Sequence, residues 1–272
     1  MNYLDEHDCR LVIVTICYNN LEGLIATCAS IDRQIRLPDE HWIINGSTTP
    51  DIAAWFEQAP QQAFRRIINE PDRGISDAFN KGIAKAGMGM IQLLNAGDVL
   101  FDAQVLQRVR DFMECTPQAQ WISGKVVTTD SQGEWVEKGV AFDPKRLNRG
   151  MDWVAHPTWW VHKSAYHQAG PYDLGLQIAM DYDMMIRLRD LPYAHYPFVS
   201  VHFDHQGISN RQFSEGLWEA YRIHRRHLGH SMLLFLTQLR HIWIRKAAQH
   251  AWAGKWLRKF RALKARLIAL NV

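Results

Sequence analysis

Four short polar stretches concentrate the residue types that can do chemistry: Tyr18-Asn19-Asn20, Asn45-Gly46-Ser47, Pro71-Asp72-Arg73-Gly74 and Asn95-Ala96-Gly97-Asp98. Their glycines let the backbone come close to a ligand. Arg73 offers a planar two-pronged donor to phosphate or to a base carbonyl. A carboxylate such as Asp98 suits a hard cation, Mg²⁺ or Mn²⁺. Together they suit a phosphate-bearing ligand. Neither a GxGxxG pattern nor a P-loop occurs, which disfavours the usual dinucleotide and ATPase cradles.

Each stretch follows an apolar run that can hold it in place. Leu11–Cys17 is β-branched and reads as a buried strand, and Leu21, Leu24, Ile25, Cys28 and Ile31 then recur at helical spacing. His41–Ile44, Phe64–Asn69 and Met90–Leu94 are further strands, with helices expected over Asp51–Gln58 and Ile75–Ala86. This alternation predicts an α/β fold with a mostly parallel sheet covered on both faces. Ligands of such sheets bind at the carboxyl ends of the strands, where all four polar stretches fall. The centre changes character. Trp121–Val127 and Glu134–Val140 flank Asp130-Ser-Gln-Gly133 as an antiparallel hairpin. Helices are expected over Ser164–Ala169 and Asp181–Arg189, a strand over Tyr193–Val201, and helix from Phe213 onward.

With these elements in place, a family resemblance is visible. Val14-Thr15-Ile16-Cys17-Tyr18-Asn19, Asn45-Gly46-Ser47-Thr48, the run Asn69 to Ile83, and Leu93-Leu94-Asn95-Ala96-Gly97-Asp98 resemble, in order and spacing, the inverting family-2 glycosyltransferases. The match continues through His156-Pro157-Thr158, Gly170-Pro171-Tyr172-Asp173, Met180-Asp181-Tyr182-Asp183 and Gly207-Ile208-Ser209, so it spans roughly residues 10–210. The branch it looks most like builds bacterial exopolysaccharide and O-antigen repeat units, including the colanic-acid type. The resemblance implies a GT-A fold over residues 1–212, with a nucleotide half (about 10–100) and an acceptor half (about 101–212); the basic, aromatic-rich helical tail expected over 213–272 lies beyond it.

It also implies roles. Thr15, Tyr18 and Asn45 would border the nucleoside; Arg73, Asp77, Asn80 and Asn95 would line the nucleotide-sugar pocket. Asp98 stands where the family's acidic metal motif ends, and His205 where some relatives place a histidine near metal and diphosphate. Asp181 matches the general base. It would take a proton from an acceptor hydroxyl as that oxygen attacks the anomeric carbon of a nucleoside-diphosphate sugar, with UDP the commonest nucleotide. Two departures stand out. Many relatives have Asp in place of Asn45, and two or three acids in the motif that here retains only Asp98.

Plainer readings accompany each residue. Asp98 is also suited to a turn or helix cap, Asp181 to capping its own helix with Asp183 as competing base, and Arg73 to an ion pair with Asp72 or Glu70. Asp77 and Asn80 share one helix face and fit a solvated surface. His205 also fits a local hydrogen-bonding role. His156 reads as structural or acceptor-facing, and His202, His224, His227 and His230 as surface or interface groups. Two rival functions remain at this level: a sugar nucleotidyltransferase, and a degenerate GT-A fold that only binds.

Composition sets the outer limits. The chain has 272 residues, 47% of them hydrophobic, enough for a sizeable core. The net charge of +3 conceals an acidic body and a basic end. From Phe213 onward there are 12 Lys or Arg against Glu215 and Glu219, leaving 19 basic and 26 acidic residues elsewhere. Phe235, Leu239, Ile242, Trp243, Trp252, Trp256 and Leu257 recur there near helical spacing among arginines and lysines. Such a helix suits an anionic membrane surface; packing on the body or on a second copy is the plainer alternative, and no nucleic-acid motif is present. The four cysteines form no close pair, Met1–Arg10 lacks the apolar core of a signal peptide, and no run approaches the ~18 apolar residues of a membrane span. The expectation is a cytoplasmic protein, peripheral on the inner face of the membrane, with a lipid-linked oligosaccharide or other glycan as acceptor.

Overall fold

The computed structural model describes residues 10–129, 133–150, 154–203 and 213–249. The first half alternates as expected: β1 (Leu11–Cys17), α1 (Leu21–Asp32), β2 (Glu40–Asn45), α2 (Asp51–Gln58), β3 (Arg65–Asn69), α3 (Ile75–Lys85) and β4 (Met90–Asn95). The second half contains β5 (Val99–Leu100), α4 (Val105–Cys115), β6 (Trp121–Thr129), β7 (Trp135–Lys138), β8 (Trp160–His162), α5 (Lys163–Ala169), α6 (Met180–Leu188), β9 (Tyr193–His202), α7 (Phe213–Leu228) and α8 (Met232–Gln249). Short 3₁₀ turns lie at Pro144–Arg149 and His156–Thr158.

Among the described residues one mixed sheet runs β3-β2-β1-β4-β8-β6-β9-β5, with β7 paired to β6. β1 to β4 are mutually parallel, whereas β8 meets both β4 and β6 antiparallel. Every residue of β1 is buried, as a central strand covered on both faces must be. Its alternation sorts the core. Val12, Val14 and Ile16 face Phe79 and Ile83 of α3, while Leu11 and Ile13 face Ile31 of α1 and Leu106 and Val109 of α4. Gly82 is what lets α3 lie flat on the sheet, since a Cβ there would stand 2.2 Å from Cγ1 of Val14.

The strand order changes direction at β1, between β2 and β4. The carboxyl ends of these strands therefore open the crevice of a doubly wound sheet. α7, the first helix of the expected basic tail, contributes Ala220 and Ile223 to the main core, as the packing alternative has it. α8 follows and buries Leu234 and Gln238. No helix among the described residues is long and apolar enough to cross a membrane.

Candidate active site

The four strand-end loops are tied into one rim. The backbone N–H of Asn19 donates to the Ser47 hydroxyl (2.8 Å), and its side-chain oxygen accepts from the Thr48 N–H (3.1 Å). Asn19 adopts a left-handed φ of 51°, a conformation that asparagine tolerates better than most residues. Asn20 caps α1 by accepting from the Gly23 N–H and donates its amide to the Ala96 carbonyl at 2.9 Å. Asp72 accepts from the Gly74 N–H at 3.0 Å while its carboxylate lies over Gly46, where a Cβ would come within 1.7 Å of it. Gly46 thus brings the Asp72 carboxylate to the end of β2.

Several residues implied as donor contacts are placed on this rim, and others are turned away from it. Tyr18 is exposed at the end of β1. Arg73 is exposed too, and its guanidinium meets the Asp77 carboxylate at 3.2 Å rather than Asp72 or Glu70. Asp77 is nearly buried, which opposes ionisation. The Arg73 backbone and side-chain donors, with the charges of Lys81 and Arg73, outweigh that and hold its carboxyl below the usual range. It is a brace for the Arg73 loop, not a solvated surface group.

Thr15 and Asn45 spend their side chains on partners within the protein. Thr15 is fully buried beside His41. Arg65 Nε donates to His41 Nδ1 (2.8 Å), which leaves Nε2–H to donate to the Thr15 hydroxyl (2.9 Å). Asn45 is 4% exposed and spends both ends of its amide internally. Its nitrogen donates to Asn69 Oδ1 (2.9 Å), and its oxygen accepts from the Ser47 N–H (3.0 Å). Asn80 is likewise committed: its nitrogen donates to the Tyr172 carbonyl (2.9 Å) and its oxygen accepts from the Tyr172 N–H (2.8 Å).

The fourth loop closes on itself. Gly97 takes φ 112°, open to glycine at little cost, and this lets the chain turn. The Asp98 carboxylate, 2% exposed, accepts from the Asn95 N–H at 3.0 Å and from its side-chain amide at 3.3 Å. The helix after it is capped at Gln104, so Asp98 is a turn residue and not a helix cap.

Asp181 begins α6 beside a buried histidine. His156 Nε2 stands 3.5 Å from Asp181 Oδ1, close enough for charge to matter, yet that oxygen is buried and accepts no hydrogen bond. The Asp181 side chain nonetheless remains 24% exposed, so its open surface lies on its other atoms. Burial raises its carboxyl above the ordinary 3.8, and His156 pulls it back only in part. An accessible carboxylate of raised basicity is what a general base requires. Asp183 is the opposite case. It is 3% exposed and locked between Arg187 (2.9 Å) and His227 (2.7 Å), so it has no oxygen to offer a substrate.

Residues 12–168 match Glycosyl transferase family 2. The chain belongs to that family. A PGL/p-HBAD biosynthesis glycosyltransferase of Mycobacterium bovis is 29% identical over 201 residues, covering 70% of this chain and 76% of the relative. An uncharacterized glycosyltransferase of Mycobacterium tuberculosis is 28% identical over 185 residues, 64% of this chain and 67% of that one. The crystal structure of S. aureus TarS 1-349 in complex with UDP-GlcNAc superposes with a TM-score of 0.61 at 10% identity, covering 84% of this chain and 70% of that one. The fold of this family-2 glycosyltransferase is GT-A.

Asp98 and His205 are the residues of the glycosyltransferase that the resemblance implies for a cation. No three His, Cys, Asp or Glu side chains among the described residues gather at one point, and Asp98 is a single carboxylate already engaged by its own turn. His205 lies outside the described residues. Two contributors escaped the sequence. Asp72 reads from sequence only as a loop residue and an ion-pair partner for Arg73, and His156 only as structural or acceptor-facing. The signal for Asp72 was Gly46, which leaves space where a neighbour's carboxylate must sit. For His156, 25 residues from its partner, the sequence carried no pairing signal.

Proposed function

We propose that this glycosyltransferase moves a sugar from a uridine-diphosphate sugar to a hydroxyl of a glycan acceptor, with inversion at the anomeric carbon. The observation that carries the reading is Asp181: a partly exposed carboxylate of raised basicity at the start of α6. The TarS complexes with UDP and UDP-GlcNAc support uridine as the base and a hexosamine-type donor as a first probe.

Asp181 accepts the proton of the acceptor hydroxyl as the new C–O bond forms. The bond to the diphosphate breaks on the opposite face, and its electron pair leaves with UDP. Arg73, the exposed guanidinium of the rim, supplies positive charge for that diphosphate. Lys81 is less free to do so, being held by the Pro71 carbonyl, Glu70 and Asp77. Mn²⁺ or Mg²⁺ bound with the donor would be held by the Asp98 carboxylate and would add positive charge beside the diphosphate.

The acceptor we favour is a lipid-linked oligosaccharide of surface-polysaccharide synthesis, reached from an anionic membrane. α8 supports this, because it presents Met232, Leu236 and Trp243 to solvent on a chain end rich in arginine and lysine. The deciding experiment measures products from UDP-GlcNAc, UDP-glucose and UDP-galactose. Release of UDP with an inverted product is expected, and Asp181→Asn should lower it by about a thousandfold while UDP still raises the melting temperature. Pyrophosphate as product would indicate nucleotidyl chemistry. Binding without turnover would indicate a degenerate site, and an unimpaired Asp181→Asn would remove the base.

A further inference from the structure

The mechanism so far leaves a buried titratable group unused. His156 is 6% exposed and lies in the 3₁₀ turn before β8. Its ring is gripped by Phe79 of α3 (5.4 Å between centroids) and by Trp159 (4.9 Å). Nε2 has two polar neighbours, the Tyr172 hydroxyl at 3.1 Å and Asp181 Oδ1 at 3.5 Å. Tyr172 is itself buried, and its backbone N–H and carbonyl are both clamped by the Asn80 amide. Phe79 and Asn80 belong to the helix that follows the Arg73 loop. An unbroken line of contacts therefore runs from the donor-side helix α3, through Tyr172 and His156, to the carboxylate on α6.

We propose that His156 is a positioning residue that aims the Asp181 carboxylate at the acceptor, and that Asn80 fixes this pair from the donor side by clamping Tyr172. The proposal rests on Asp181 being the base. Asp181 Oδ1 is buried and without a hydrogen bond, which is costly for a carboxylate unless a donor faces it. A proton on His156 Nε2 meets that need, since both the Tyr172 oxygen and Oδ1 can accept it. The inner oxygen is thereby oriented toward the imidazole and the accessible side of the carboxylate toward the acceptor. When transfer occurs, the hydroxyl proton moves to Asp181 and the electron pair of the broken anomeric bond leaves with UDP. His156 neither gains nor loses a proton; its part is to hold the geometry. Asn80 then serves the reaction without touching the donor sugar, which accounts for an amide whose two ends are both occupied within the protein.

The test compares His156→Phe, His156→Gln, Tyr172→Phe, Asn80→Ala and Asp181→Asn in the full-length enzyme. UDP release from UDP-GlcNAc is followed from pH 5 to 9, and folding is checked by circular dichroism and melting temperature. His156→Phe is expected to lower kcat about 30- to 100-fold, the scale of a base misplaced by roughly an ångström, with donor KM within about twofold. The acid limb of its pH–rate profile should move to higher pH, because the carboxyl loses the group that favours its ionised form. His156→Gln, which keeps an N–H donor at similar reach, should recover most of kcat. Tyr172→Phe keeps the ring and removes only the hydroxyl, and Asn80→Ala releases the clamp; both should lower kcat and leave donor KM unchanged. If a folded His156→Phe keeps both kcat and acid limb while Asp181→Asn is inactive, this proposal alone is overturned. If His156→Phe does not fold, an unaltered Tyr172→Phe overturns it instead. A raised donor KM with intact kcat in Asn80→Ala would return Asn80 to the donor pocket. Normal turnover by Asp181→Asn would remove the base reading and this proposal with it.

Discussion

His227 Nε2 on α7 stands 2.7 Å from Oδ1 of Asp183 on α6, and thereby joins the C-terminal extension to the helix that carries Asp181. The same two helices meet again at the N-terminus of α6. There Glu219 of α7 accepts from the backbone N–H groups of Gln177 (3.1 Å), Ile178 (2.7 Å) and Ala179 (2.7 Å). These three residues lead into α6, whose N-cap is Ala179, and a carboxylate there also suits the helix dipole. α7 therefore packs against both ends of the segment that carries Asp181. Asp183→Ala should strand Arg187 and His227 without their shared anion. A loss of about 3–5 kcal/mol is expected from removing one partner of a buried pair, read as a lower urea midpoint. A variant as stable as the parent would mean that α7 does not hold α6 in solution.

Stability should depend on two histidines that titrate against burial. Burial, reinforced by the Arg65 charge, holds His41 well below its ordinary 6.5. Burial also lowers His156, against the opposing pull of Asp181. Both are neutral in the folded chain near pH 7 and take up protons once it unfolds. The unfolded state thus binds more protons below about pH 6.5, so their contribution is fully present above that value and is lost as pH falls toward the folded pKa. Each histidine adds a slope of at most ~1.4 kcal/mol per pH unit. Asp181 works in the other sense just above 3.8, because its folded carboxyl is raised. The clean measurement is therefore the difference between parent and His41→Gln. The urea midpoint of the variant should fall less between pH 7 and 5, and parallel curves would contradict the assignment.

The contrast between strand and side chain explains what could be read from sequence. β1 and β4 are legible because a β-branched run of strand length bounded by polar turns has few other solutions. β8 is not: its three residues carry no period, and its place between β4 and β6 is set by pairing partners far along the chain. The polar loops at the strand ends were legible for the same reason as the strands. Which way each side chain turns was not. Thr15 is inward because strand alternation puts it on the α1 side with His41. Asn45 is inward because the parallel register sets it opposite Asn69, where two amides satisfy one another. The Asp181–His156 contact depends on how the 3₁₀ turn before β8 meets the start of α6, which no local pattern encodes.

The rim predicts a change confined to the donor. A methyl group at Gly46 must displace the Asp72 carboxylate, since its Cβ would lie 1.7 Å from Oδ2. That oxygen is the far end of a short side chain, so the fold can absorb the substitution. Gly46→Ala should therefore shift the melting temperature by no more than about 1–2 °C, the effect of a change near 0.5 kcal/mol in a chain of this size, while weakening UDP binding about tenfold or more. Isothermal titration with UDP checks this. Unchanged affinity would remove Asp72 and the end of β2 from the nucleotide site.

The membrane reading is best tested on the surface of α8 rather than by deletion. Leu234 and Gln238 of this helix are buried, so truncating the chain from residue 230 would disturb the body as well as any lipid contact. Trp243, 70% exposed, and Leu236 point away from that buried side, at the spacing of one helical face. Leu236→Glu with Trp243→Glu puts two charges where apolar side chains would meet lipid and leaves the packed side intact. The parent should float with vesicles containing phosphatidylglycerol, less with phosphatidylcholine alone, and less again at high salt, because basic segments are drawn to anionic headgroups within a Debye length. The double variant should lose most of that flotation while keeping its melting temperature and its UDP release from a soluble donor. Equal flotation of parent and variant would sink the membrane reading. If instead the parent self-associates in sedimentation experiments and the variant does not, the exposed face of α8 joins two copies of the enzyme.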